Sequence, residues 1–172
     1  MNPSRFAMAV AVLCLCAGAS TTVADDDSGK DFGEHHFDAL LLGANEVPPI
    51  STRAFGRLTA TLNREETELS FRLSWENVTA DITAAHIHFA PRSVNGGVMV
   101  FFCGGGGQPA CPTGTSATIT GTITAANVVG PAAQGIAAGE FEKVVRALRN
   151  NQGYANMHNA SFPSGEARGP VN

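Results

Sequence analysis

The sequence predicts an all-β protein, an antiparallel β-sandwich or Greek-key barrel of about eight short strands with one short helix near residues 140–150. Three observations carry that expectation. Strict two-residue alternation of apolar and polar side chains recurs along the chain, Gly, Pro and Asn turns separate the alternating segments, and a single stretch has helical spacing instead.

Taken in order, the β signal opens at residues 37–43. The connection "EVPPIST", 46–52, holds two prolines that force an extended path, so it reads as a structural crossing between strands. In "AFGRLTATLN", 54–63, Leu58, Ala60 and Leu62 share a face. In "ELSFRLSW", 68–75, Leu69, Phe71, Leu73 and Trp75 take one face, and Glu68, Ser70, Arg72 and Ser74 the other. The turn residues "NREE" between these two segments make them a hairpin. A further strand covers 82–89, and "GVMVFFC", 97–103, is apolar on both faces and reads as a central strand. "SATITGTIT", 116–124, alternates again with its threonines outward. In "GEFEKVVRALRNNQG", Phe141, Val144, Val145 and Leu148 recur at helical spacing. Glu140 and Glu142 at its start and Arg146 and Arg149 at its end complement the helix dipole, and Gly153 is the expected terminator. Strands at 154–159 and 166–171 complete the set.

The opening "MNPSRFAMAVAVLCLCAGASTTVADDD" has the layout of a secretory signal: one charge at Arg5, an apolar run over 6–19, then small residues, with cleavage expected after Ala24. The run falls short of the ~20 residues of a membrane span. Cys14 and Cys16 lack the preceding Leu-small-small pattern of lipid attachment. The expected organisation is a cleaved signal at 1–24, a flexible acidic leader at 25–36 and one domain at 37–172, exported to a periplasmic or extracellular location. Removing the signal takes the formal net charge from −4 to −5, and without a basic stripe neither nucleic acid nor an anionic membrane surface is an expected partner. "EHH", 34–36, ends the leader. Adjacent histidines on an extended chain point opposite ways, so these read as a solvated tail.

Two cysteines follow the signal, Cys103 and Cys111 in "CGGGGQPAC". In an oxidising compartment they read as a local disulfide, which restricts the unfolded chain by roughly 2–3 kcal/mol. A two-thiolate metal site is the alternative. The glycine run lacks the Lys and Ser or Thr of a phosphate-binding loop and reads as a flexible turn.

Three blocks, "LLGANEVPPISTRAFGRLTATLN", "AAHIHFAPRSVNGGVMVFF" and "LRNNQGYANMHNASFPSGEARGPV", resemble the signature blocks of the CHRD domain, a family named after chordin, over residues 40–171. The resemblance implies an extracytoplasmic immunoglobulin-like β-barrel with a distant similarity to copper/zinc superoxide dismutases, and it implies little about activity. The cysteine-rich modules that accompany growth-factor binding in chordin have no counterpart in this sequence, so that role is not carried over.

The stretch "AAHIHFA", 84–90, raises the sharpest functional question. Strand side chains at i and i+2 share a face with Cβ atoms about 6–7 Å apart, so His86 and His88 are placed to share one ion. His158 in "YANMHNA" shares a face with Tyr154 and Asn156 and offers a third imidazole. Copper and zinc both suit imidazole ligands. Similarity to superoxide dismutase implies the same trio, an HxH strand and a later single His. No histidine lies between His88 and His158, however, so only a mononuclear copper or zinc site is implied. Arg168 or Arg92 would be the cation such an enzyme needs, although Arg168 beside Glu166 reads as a structural ion pair. Glu166 itself reads either as a ligand or imidazole acceptor, or as the partner of Arg168 or a turn cap. The competing reading of the histidines is structural, with neutral rings hydrogen-bonded to backbone.

No nucleophile-elbow serine or paired catalytic carboxylates are argued, so no catalytic residue is assigned. Asn77 in "NVT" and Asn159 in "NAS" match the glycosylation pattern. Three readings of function follow. The first is a non-enzymatic exported module that binds protein or matrix through end loops. The second is a mononuclear copper or zinc protein on His86, His88 and His158, with metal handling or superoxide dismutase-like chemistry as its task. The third is a surface component that assembles through edge strands.

Overall fold

A computed structural model describes residues 35–172; the expected signal and most of the expected leader lie outside the described residues. The strands are β1 (His35–Leu42), β2 (Phe55–Leu62), β3 (Glu68–Glu76), β4 (Ile82–Phe89), β5 (Gly97–Cys103), β6 (Ala117–Thr124), β7 (Gly153–Asn159) and β8 (Ala167–Pro170), with one helix, α1 (Phe141–Arg149). β1 starts at His35, ahead of the expected Phe37, and His36 Nδ1 lies 3.1 Å from Thr61 Oγ1 on β2. All eight strands form one antiparallel sheet in the order β5-β4-β7-β8-β1-β2-β3-β6. The sheet curls into a nearly closed barrel. Its end strands β5 and β6 come close at a seam, and inside it Phe102 of β5 packs on Phe71 of β3, the neighbour of β6, with ring centroids 4.8 Å apart.

The interior follows from the alternation. Leu58 and Leu62 of β2, Leu69 and Leu73 of β3, Ile87 of β4, Met99 of β5, Ile123 of β6 and Met157 of β7 all lie fully buried in one cluster. Each such side chain contributes roughly 1.5–3 kcal/mol on leaving water. Helix α1 buries Phe141, Val144, Val145 and Leu148, the residues at helical spacing. It stops at Asn151, whose φ of 55° is the left-handed turn that asparagine tolerates. Gly153 is therefore not the terminator. It belongs to β7, where a Cβ would lie 2.6 Å from Leu148 Cδ2, so glycine is what lets the helix close on the sheet.

The doubly apolar strand β5 sits at an end of the hydrogen-bonded order rather than in its middle. Its free edge is covered instead: Val100 bridges to Val128, and Val129 N–H donates to Met99 O at 2.9 Å. Cys103 and Cys111 are joined as a disulfide and supply no thiolate pair. No helix among the described residues is long and apolar enough to cross a membrane.

Candidate metal centre

Along β4 the inward residues are Ala85 and Ile87, both in the core, so His86 and His88 project from the outer face. Strand pairing sets His86 opposite Asn156, His88 opposite Tyr154 and Ala84 opposite His158, which brings β7's Tyr154, Asn156 and His158 onto the same outer face. β8 adds Arg168, opposite Asn156. Loops cover this face, so His86 is only 6% exposed and His88 9%.

The three imidazoles converge. Ring centroids lie 4.5 Å apart for His86 and His88, 4.5 Å for His86 and His158, and 6.2 Å for His88 and His158. One nitrogen from each ring lies within 4.8 Å of those from the other two, the sole such group of ligating side chains found among the described residues. Hydrogen bonding fixes the tautomers of two rings. His88 Nδ1 donates to Gly96 O at 2.8 Å and His158 Nδ1 to Pro163 O at 3.0 Å, since a carbonyl only accepts. Each Nε2 is thereby left as a bare lone pair. Both Nε2 atoms are buried without a hydrogen-bond partner, and so is Nδ1 of His86.

These orphaned acceptors fit a metal ion. Imidazole bonds of about 2.0–2.1 Å set ligand atoms about 3.4 Å apart in a tetrahedral site, so closing on an ion draws the widest pair, within 4.8 Å, together by at most about 1.5 Å. Burial, aided by the neighbouring imidazoles, pushes His86 down to about 2. Burial also lowers His88 to about 4, against the pull of its Gly96 hydrogen bond, and lowers His158. All three rings are neutral at pH 7, the state that binds metal.

The same shifts make an acid-stability prediction. Between about pH 6.5 and about pH 4 the unfolded chain takes up imidazole protons that the folded chain refuses. Stability of the metal-free protein is then present in full above about pH 6.5 and falls as pH drops through that window. Glu46, whose carboxyl burial pushes up against the pull of Arg168, acts with the opposite sign. Two strongly lowered imidazoles outweigh it. Urea unfolding at pH 7, 6, 5 and 4 is expected to show a falling midpoint with a shallower fall in His86→Leu; a midpoint that rises toward pH 4 would refute the assignment.

Around the trio lies a buried polar brace. Arg168 is 2% exposed; its Nε donates to Glu46 Oε2 at 2.6 Å and its Nη1 to Asn95 Oδ1 at 2.9 Å. Its guanidinium carbon lies 4.5 Å from the centroid of the Tyr154 ring, and that ring stacks on His88 with centroids 4.6 Å apart and planes 11° from parallel. Gly96 N–H donates to Tyr154 Oη at 3.3 Å while Gly96 O holds His88. The expected Arg168–Glu166 pair is thus corrected: side chains two apart on one strand can share a face, but Arg168 turns to Glu46 across the sheet. Glu166 accepts from Thr52 Oγ1 at 2.7 Å, from Thr79 N–H at 3.2 Å and from the Asn159 amide, and touches no ring of the trio. Arg92 is exposed on the β4–β5 loop.

Glu46 and Asn95 were not legible as site residues. Glu46 belongs to the proline-bearing crossing, whose composition explains a turn and gives no hint of a buried charge. Asn159 is 1% exposed with its amide bonded to Glu166 and Ala80 O, so the folded chain has no room for a glycan there. Asn77 is exposed.

Fold and site together define a nearly closed β-barrel with a covered three-imidazole cluster on its outer face. The CHRD domain family matches residues 37–171, and the chain belongs to that family. No curated protein and no solved structure matches it.

Proposed function

We propose that this CHRD-domain chain is an exported protein that binds a single copper or zinc ion through His86, His88 and His158. Its domain at 37–172 follows a cleaved signal at 1–24 and an acidic leader at 25–36. The observation that carries the reading is the set of three buried imidazole nitrogens with no hydrogen-bond partner, two of them forced into the ligating tautomer by backbone carbonyls. Structural histidines would use those lone pairs. The disulfide is the kind of bond an oxidising compartment preserves, in keeping with export. Copper would supply one-electron chemistry and zinc a Lewis acid. Holding the ion fits better than superoxide turnover, because Arg168 is buried and already bonded to Glu46 and Asn95 rather than free to draw in an anion.

Protein purified without a histidine tag is expected to take up one equivalent of copper or zinc, measured by mass spectrometry. With free metal at about 1,000 times Kd the fold gains about 4 kcal/mol, read as a rise in Tm. His86→Ala and His158→Ala should each remove the bound metal and the shift while the apo fold persists. Protein that binds neither metal and shows no shift defeats the proposal.

A second reading, partner binding, has one observation behind it. The exposed apolar side chains Leu42, Val47 and Val94 lie on the segments that meet at Arg168, at the border of the covered face.

A further inference from the structure

We infer that Phe101, wedged by the glycine run of the disulfide-closed loop, is a positioning residue that turns His86 toward His88 and His158. The inference rests on the metal reading above and assigns a role to the one motif, "CGGGG", that the site description leaves unused. His88 and His158 are each oriented by a ring-to-carbonyl hydrogen bond, the usual outer support of a metal-bound imidazole. Among the described residues, neither ring nitrogen of His86 has such a bond: its Nδ1 is the buried orphan offered to the metal, and no carbonyl supports its Nε2. Its ring is held by packing. Phe101 stands opposite His86 across the β4–β5 pairing and meets it edge-on, with centroids 5.0 Å apart and planes 76° from parallel. Because β5 and β7 flank β4 on opposite sides, Phe101 bears on His86 from the side away from His158.

Phe101 is fixed in turn by glycine backbone. A Cβ on Gly105 would lie 2.6 Å from Phe101 Cε1, and one on Gly106 would lie 2.6 Å from Cδ2, so only glycine lets the loop close on the ring. A Cβ on Gly104 would lie 2.0 Å from Thr83 O, which pins the start of the loop against the β4 strand. The loop is tied across its base by the Cys103–Cys111 disulfide and by Gly104 N–H donating to Pro109 O at 2.8 Å. The run expected to be a flexible turn is a packed clamp, and force passes from it through one aromatic ring to one ligand.

The test is a copper(II) and zinc(II) titration of the full chain against a chromogenic chelator, with the copper(II) electron paramagnetic resonance spectrum recorded for each protein. Phe101→Ala is expected to weaken 1:1 metal binding about 10- to 100-fold and to change the nitrogen hyperfine pattern, while Phe101→Tyr retains both affinity and spectrum. Gly105→Ala, which displaces the ring without leaving a hole, should shift affinity in the same direction. His86→Ala leaves at most weak binding by the other two imidazoles, read at raised metal concentration, and Phe101→Ala should not weaken that binding further, because its action runs through His86. An unchanged affinity and spectrum in Phe101→Ala, or an equal loss with and without His86, overturns the inference while leaving the three-His site standing. A native chain that binds no metal overturns both.

Discussion

Arg168→Met is expected to remove about 3–5 kcal/mol of folding stability, measured by urea unfolding at pH 7. The guanidinium and the Glu46 carboxylate are 2.6 Å apart with both side chains only 3% exposed. Desolvation already pushes the Glu46 carboxyl upward, and Arg168 is the chief force opposing it. Taking away the cation leaves a carboxylate with little water and no counter-charge. The paired change Glu46→Leu with Arg168→Met should recover most of the loss, since an apolar pair carries no desolvation cost, and the two single changes should be strongly non-additive. A single-variant cost under about 1 kcal/mol would mean the brace is open to solvent in solution. Removing the cation also frees Tyr154 on one face, so in the metal-bound protein this variant should lose affinity as well as stability.

Glu166→Ala ranks second, at about 3 kcal/mol, because it takes the acceptor from one buried and two part-buried donors at once. The Thr52 hydroxyl, the Thr79 N–H and the Asn159 amide come from the β1–β2 crossing, the β3–β4 connection and the end of β7, and one carboxylate joins all three. Glu166→Gln keeps an acceptor in place and should cost far less. It should also keep full metal stoichiometry, which separates this anchoring role from that of a ligand. Loss of the metal in Glu166→Gln, with the fold intact, would return Glu166 to the ligand set.

How much of this was legible in the sequence depends on which face a residue occupies. Leu69, Phe71, Leu73 and Trp75 announce their inward face by alternation alone, and the same rule puts His86 and His88 side by side. Spacing cannot show that the outer face of β4 and β7 is roofed by loops. Polar side chains there, Asn156 and Arg168 among them, carry the pattern of a wetted surface yet are buried. The pairing of Glu46 with Arg168 joins residues 122 positions apart, and no local signal encodes such a contact. β5 misled for a related reason. Phe101 made its outer face apolar, which in an ordinary strand means sheet on both sides; here the covering layer is a glycine loop. Gly153 misled because a glycine after a helix serves equally well as a terminator or as a gap for a packed leucine.

The strand order carries a consequence for how the chain is made. Strands β1, β2, β3 and β6 form one hydrogen-bonded group and β4 with β5 another, and β7 and β8 are the rungs between them. Those rungs are the latest strands to be synthesised. Until residues 153–170 emerge, the two groups have no shared ladder and His86 and His88 wait without their third ring. Synthesis and assembly are therefore separated in time: the first six strands are made before there is a site to fill. A fragment ending before β7 would be a pair of unjoined sheets with exposed edges, a substrate for proteases rather than a smaller version of the protein.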